Sequence, residues 1–243
     1  MRGLPFNPTV MIIGASGGIG AAFLAALRED SDVGTIHVFG RGFENDEGQD
    51  RVRHHYLDLT DEASIEVAAK RIAGPIHLLI IATGTLHAAG IAPEKTYRAL
   101  DPVALLEAFR VNTIGPVLIA KHMLPLFPSQ GRGIFAALSA RVGSIGDNRA
   151  GGWHAYRASK AALNMIIRNL AIETARRNPE TICVGLHPGT VDTGLSRPFQ
   201  RGVPQDKLFT PEYAASRLLQ VIEELRPHDS GKVLAWDGAV VPP

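Results

Sequence analysis

The chain has 243 residues with 25 basic and 24 acidic side chains, a formal charge of +1, and 45% hydrophobic residues. That is enough for one large core, and no basic stripe recommends nucleic acid or an anionic membrane as a partner, so a small-molecule ligand is expected. The single cysteine, Cys183, excludes an intrachain disulfide; in the apolar run "TICVGLHPG" it reads as a buried structural thiol suited to a reducing, cytoplasmic setting.

No linker, repeat or low-complexity run divides residues 1–243, so one domain is expected. Arg2 followed by "TVMIIGASGGIGAAFLAAL" imitates a secretory leader, but glycines interrupt the apolar stretch. No stretch reaches the roughly 18 to 20 uncharged apolar residues that span a bilayer. A first strand near Val10 to Ile13 runs into "GASGGIG" and then a helix whose face carries Ile19, Phe23, Leu24 and Leu27. In that loop Gly14 permits a tight turn, Gly18 a pyrophosphate close to backbone N–H groups, and Gly20 close packing of helix on sheet; Ser16 and Ile19 complete the nucleotide site. The same letters, Gly14-Ala15-Ser16-Gly17-Gly18, also spell a hydrolase nucleophile elbow. An elbow after the first strand has no earlier strand-to-helix loop to complete an oxyanion hole, which disfavours that reading.

The second strand, Thr35 to Phe39, ends in "VFGR". Arg41 stands where an NAD site would carry an acid, and reads either as a clamp for a 2′-phosphate, favouring NADP, or as a solvated surface charge. The third strand, Arg53 to Leu57, leads into "YLDLT", where Asp58 reads as an acceptor for the adenine amino group or as a neighbour of a helix N-cap. His54, His55 and His154 read as partly exposed polar residues. The nine histidines form no metal-binding spacing, so no metal is expected.

A fourth strand, Ile76 to Ile81, contains "HLLII", whose lack of alternation suits burial on both faces. A helix from about Asp101 to Leu124 and a fifth strand, Ile134 to Ser139, follow. Then "GGWHAYRASKAALN" sets Tyr156 four residues ahead of Lys160 at the start of a helix. On one helical face a lysine ammonium can stabilise the phenolate of a tyrosine and also reach a bound ribose. The remaining strands are Thr181 to His187 and Val233 to Trp236. Strands alternating with helices imply an α/β, Rossmann-type, doubly wound domain, a seven-stranded parallel sheet flanked by helices with its ligand beyond the carboxyl ends of the strands. Residues 194–211, with Pro198, Phe199, Leu208 and Phe209, read as a substrate lid or as a packing surface for a neighbouring subunit.

"GASGGIG", "DLTD", "VNTIG", "YRASK", "HPGTVDT" and "SGKVLAWDG" together resemble the short-chain dehydrogenase/reductase family over nearly the whole chain, and within it the C-factor and carbonyl-reductase-like members. The resemblance implies that Tyr156 is the general acid/base, that Lys160 lowers its pKa and holds the nicotinamide ribose, and that Asn112 anchors a water in a proton relay. It also implies that Pro188, Gly189, Val191 and Thr193 line the nicotinamide amide, with Leu59 beside Asp58 at the adenine end. Where the family writes Asn-Asn-Ala-Gly after the fourth strand, this chain has Ile81-Ala82-Thr83-Gly84, so contacts there rest on backbone and Gly84.

A second departure concerns the catalytic serine, normally the second of a Ser-Ser pair. The pair here is Ser139-Ala140, and alternation along the strand turns Ser139 to the other face. Three arrangements are open: a bend brings Ser139 inward, Ser144 or a water donates instead, or the donor is missing. The resulting expectation is an NADP-preferring oxidoreductase of a carbonyl or alcohol substrate, with Tyr156, Lys160, Asn112 and Ser139 as catalytic candidates. The competing class is a dinucleotide-binding signalling or sensor protein with little turnover. A homo-oligomer is expected through the helices near Asp101 to Leu124 and Ser159 to Ala175, unless their apolar stripes serve only the sheet.

Overall fold

The computed structural model describes residues 1, 3–46, 50–87 and 92–243. In chain order it contains β1 (Val10–Ile13), α1 (Gly18–Glu29), β2 (Ile36–Gly40), β3 (Val52–Tyr56), α2 (Glu62–Lys70), β4 (Leu78–Ile81), α3 (Pro102–Phe109), α4 (Gly115–Met123) and β5 (Gly133–Leu138). There follow α5 (His154–Arg177), β6 (Thr181–His187), β7 (Thr190–Val191), β8 (Leu208–Phe209), α6 (Pro211–Glu224) and β9 (Val233–Ala235).

Seven strands form one parallel sheet in the order β3-β2-β1-β4-β5-β6-β9. The chain winds outward from β1 to β3 and returns to β4 on the other side of β1, which opens a crevice at the carboxyl ends of β1 and β4. Alternate side chains serve two cores. Val10, Ile12, Val38 and Val184 meet Phe23 and Leu27 of α1 and Leu218 and Ile222 of α6. Met11, Ile13, Phe135 and Cys183 meet Ile65 of α2, Ile119 and Met123 of α4, and Leu163 and Ile167 of α5. The four residues of β1 are buried on both faces, hence the unbroken apolar run.

The seven expected strands all form, two of them with the expected bounds. Ile76 and His77 fall outside β4 because their N–H groups donate to Leu126 and Thr9 before the ladder begins. The expected helix from Asp101 is interrupted by a wide π turn at Arg110–Ile114, where carbonyls and N–H groups pair five residues apart. Pro102–Leu126 spans 25 residues and contains an 18-residue window with a mean hydropathy of 1.5, long and apolar enough by composition to cross a membrane. In this fold it buries Ile119 and Met123 against the sheet. The parallel pair β7 and β8 was not expected.

One histidine expectation needs correction. His55 is buried, and its Nε2 lies 2.8 Å from Nδ1 of His37. The cause is strand register, which sets Phe39 of β2 opposite His55 of β3 and stacks their rings 4.8 Å apart. Cys183 is buried, and burial pushes its thiol up to about 11, consistent with an inert structural group.

Candidate active site

At the end of β1, Gly14 has φ +88°, and a Cβ there would come within 2.7 Å of the Thr83 methyl group. A Cβ on Gly20 would overlap the Gly14 carbonyl oxygen, so the first turn of α1 lies directly on the loop. A Cβ on Gly18 would stand 2.8 Å from Cγ2 of Thr193. The glycines therefore keep a backbone-lined cradle open between α1, β4 and the Thr193 arm. No side chain caps α1 at Gly17, so its first N–H groups remain for an acceptor.

A cavity of about 470 Å³ runs from this cradle past Ser16, Arg41, Asp58, Leu59 and Gly84. Arg41 is exposed on its wall. Oδ1 of Asp58 accepts from the N–H and hydroxyl of Thr60, at 2.9 and 2.7 Å. Burial raises the Asp58 carboxyl, but those bonds and the Arg41 and Arg110 charges leave it below its usual value. Leu59 packs so tightly on Gly115 that a Cβ there would overlap it. The Thr83 hydroxyl is buried with no hydrogen-bond partner among the described residues.

A second cavity, of about 330 Å³, is bounded by Tyr156, Ile19, Pro188, Gly189, Val191 and Thr193, so those six sequence-predicted residues converge. Gly189 has φ +78°, and a Cβ on it would meet the Phe209 ring at 2.6 Å. Tyr156 and Lys160 occupy the first two turns of α5. The Lys160 ammonium is 3% exposed, donates to the Leu138 carbonyl at 2.7 Å and lies 5.9 Å from the Tyr156 ring centroid. A Cβ on Gly84 would sit 3.6 Å from it. Burial pushes the Tyr156 phenol up to about 12 and the Lys160 ammonium down to about 8. Burial thus outweighs, in this arrangement, the lowering of the phenol that the resemblance implies.

Asn112 sits on the π turn with both amide atoms engaged. Its Nδ2 donates to the Thr85 carbonyl at 2.8 Å and to the Ser159 hydroxyl at 3.1 Å, and Oδ1 accepts from Thr85 N–H at 2.8 Å. It ties the segment after β4 to α5. Ser139 and Ala140 both line this cavity, but the Ser139 hydroxyl is committed, donating to Oδ1 of Asn164 at 2.6 Å. The Ser144 hydroxyl donates to the Pro243 carbonyl at 3.3 Å and accepts from Asp147 N–H at 3.0 Å.

Trp153, on the cavity wall, escaped the sequence reading. Trp153 precedes α5 with φ 50°, after Gly151 and Gly152 at 61° and 63°, and its N–H donates to the Glu94 carbonyl at 2.5 Å. A bulky residue in the left-handed region stores strain that its surroundings must hold. The two glycines before an aromatic in "GGWHAY" were the available signal. Phe199 meets Trp153 edge-on at 5.3 Å, and His87 at 5.6 Å. Of the apolar residues noted in 194–211, Leu208 and Phe209 serve the β7–β8 pair and Phe199 alone meets Trp153.

A doubly wound parallel sheet with a glycine turn at its switch point and Tyr156 and Lys160 on a helix beside its carboxyl end is an oxidoreductase architecture, and the chain belongs to the short-chain dehydrogenase/reductase family. The family described as "short chain dehydrogenase" matches residues 8–203. The chain is 32% identical over 182 residues to a 1-hydroxy-2-glutathionyl-2-methyl-3-butene dehydrogenase of Rhodococcus sp. (strain AD45), covering 75% of this chain and 76% of that one. It is 34% identical over 143 residues to the C-signal protein of Myxococcus xanthus, covering 59% and 81%. Among solved structures, the NADPH-bound carbonyl reductase from chicken fatty liver superposes with a TM-score of 0.81 at 26% identity, covering 99% of this chain and 96% of that one.

Proposed function

We propose that this oxidoreductase reduces a carbonyl substrate with NADPH in preference to NADH, Tyr156 delivering the proton. The observation that carries the reading is Tyr156 on a cavity that adjoins the glycine cradle, with the buried Lys160 ammonium 5.9 Å from its ring centroid. The residues fit a dinucleotide: the cradle excludes any Cβ at Gly14 and Gly18, the Thr83 hydroxyl is an unmet polar group on its wall, and Arg41 supplies a cation for a 2′-phosphate. A nicotinamide dinucleotide bound there supplies the hydride.

The chain's own residues do the rest. A phenol pushed up to about 12 is protonated at neutral pH, the form needed to give a proton to a carbonyl oxygen. An ammonium near 8 stays mostly charged at pH 7 and stabilises the phenolate left behind. Lys160 has one protein acceptor among the described residues, the Leu138 carbonyl, which leaves donors for ribose hydroxyls. Asn112 holds the segment after β4 against Ser159, fixing the cleft width. Trp153 and Phe199 form an apolar wall that excludes water, making residues 194–211 the substrate lid of a single domain. We assign the protein to the cytoplasm, as a homo-oligomer.

A second reading, a C-signal-like sensor with little turnover, is favoured by one observation: Ala140 faces the cavity while the hydroxyls of Ser139 and Ser144 are committed elsewhere. Oxidation of NADPH and NADH by the purified protein against aldehydes, ketones and quinones separates the two. Turnover that prefers NADPH and disappears in Tyr156→Phe is the expected result. Silence with NADPH bound would favour the sensor.

A further inference from the structure

Position 140 lacks the hydroxyl that would polarise a substrate carbonyl beside Tyr156, yet the wall facing it carries an uncommitted imidazole. His187 closes β6, paired in register with Ala235 of β9. Ser139 N–H donates to the Leu186 carbonyl at 2.8 Å, so the ends of β5 and β6 lie side by side. Ala140, Tyr156 and His187 consequently border one cavity. Nδ1 of His187 is buried with no hydrogen-bond partner among the described residues. His187 as a residue lines the cavity, and no hydrogen bond from its ring is found among the described residues, so the imidazole is left with a contact the protein alone does not make.

The charged groups acting on this ring are Arg141 and Asp237. Burial foremost, then Arg141, pushes the imidazole down to about 4, with Asp237 opposing. At neutral pH it is uncharged and carries one N–H donor. Of the other hydroxyls on the cavity wall, Ser139 donates to Asn164, and Ser196 to the Val191 carbonyl at 2.5 Å. Thr193, whose methyl group packs towards Gly18, and Thr190, exposed on β7, are the rival donors.

We propose that the His187 imidazole N–H donates a hydrogen bond to the substrate carbonyl oxygen that Tyr156 protonates, in the place a serine hydroxyl at position 140 would fill. The imidazole keeps its proton throughout; the proton transferred is the phenol's. His187 is then a catalytic residue of the reductase reading, on which this inference rests. Removing one preorganised donor to a developing oxyanion costs about 10²- to 10³-fold in kcat.

The test compares the native protein with His187→Ala, His187→Gln, Thr190→Val and the double variant His187→Ala/Ala140→Ser. NADPH is the reductant, and benzil with the aldehydes, ketones and quinones above are the probes. Melting temperature and NADPH fluorescence on binding are read for every protein. The expected result is a fall in kcat of about 10² or more for His187→Ala with KM changed less than about fivefold and NADPH binding intact. His187→Gln, which keeps a donor, recovers part of the rate, and so does the double variant. A packing role for His187 predicts neither recovery. If His187→Ala does not fold, Ala140→Ser in the native background decides. A change below about threefold means a donor already serves, and a gain of about 10² means none did and overturns the proposal. Full activity of His187→Ala, or its loss in Thr190→Val instead, overturns this inference and leaves the reductase reading standing. Silence of the native protein across the panel removes both.

Discussion

At the glycine-loop end of the cleft the wall is backbone, whereas at the Tyr156 end it is side chains. Around Gly14, Gly18 and Gly20 a single added Cβ meets Thr83, Thr193 or the loop's own carbonyl. Around Tyr156 the wall is Trp153, Phe199, His187 and Ala140, contributed by four separate segments. A backbone wall recognises what is common to its ligands, and it tolerates little change. A side-chain wall can be altered one group at a time, so specificity and the departure at position 140 belong there.

The largest expected effect comes from the reacting end. Tyr156→Phe keeps the ring and removes the proton, and should lower kcat by about 10² to 10⁴ while leaving NADPH affinity unchanged. Stopped-flow turnover and fluorescence titration on one preparation check this. A variant that still turned over at the native rate would remove Tyr156 from the chemistry.

Next, Arg41→Glu should weaken NADPH binding by about tenfold to a hundredfold, from loss of a charge-assisted bond of about 1.5–3 kcal/mol, and leave NADH binding nearly unaffected. Titration of both nucleotides reads the ratio; equal losses would show that Arg41 holds no 2′-phosphate. Gly18→Val tests the backbone wall: its added carbons collide with Thr193, and affinity for both nucleotides should fall by at least about tenfold, near 1.4 kcal/mol. Native affinity in that variant would mean that Thr193 yields and that the cradle is not tight.

Smaller effects belong to the lid. Phe199→Ala removes an edge-on contact with Trp153 of about 0.5–1.5 kcal/mol, so KM for an apolar carbonyl should rise several-fold with little change in kcat. A kcat effect larger than the KM effect would place Phe199 closer to the chemistry than this geometry does.

The His37–His55 pair offers a test away from the cleft. Burial, then the charges of His55 and Arg53, lowers His37 from 6.5 to about 4, so the folded state favours the neutral ring. Its contribution is therefore present above about pH 6.5 and lost as pH falls towards 4, on the order of 2 kcal/mol. Melting temperature should drop by about 4 to 8 °C more in the native chain than in His37→Phe over that range. His187 and His77 titrate in both proteins, so the difference reports on His37 together with its partner His55. Parallel melting curves would contradict the burial argument.

Much of this was legible in the sequence because the signals are local. The apolar runs of β1 and β6 give their own bounds, since a parallel strand buried on both faces has no alternation to blur them. "GASGGIG" announces a strand, a turn and a helix in contiguous residues, and Tyr156 and Lys160 share a face by helical spacing alone. The departure at Ser139-Ala140 was also readable from the pair itself, but strand alternation alone did not show that Ser139 and Ala140 border one cavity or that the Ser139 hydroxyl is taken by Asn164.

Contacts between distant segments were decided by tertiary structure. Asn112 joins Thr85 to Ser159 through a π turn that a 3.6-residue period does not disclose. His55 is buried because strand register sets it against Phe39, although its own neighbours in "RVRHHY" are polar. Trp153 reaches Phe199 only because 194–211 folds back over the cleft. His187 meets the Ala140 wall because β5 and β6 end side by side. The sequence by itself determined the sheet, the glycine turn and the shared helical face of Tyr156 and Lys160, for backbone geometry and period are written in adjacent residues. Which side chains complete the substrate wall was settled by packing, which brings together groups that no local pattern links.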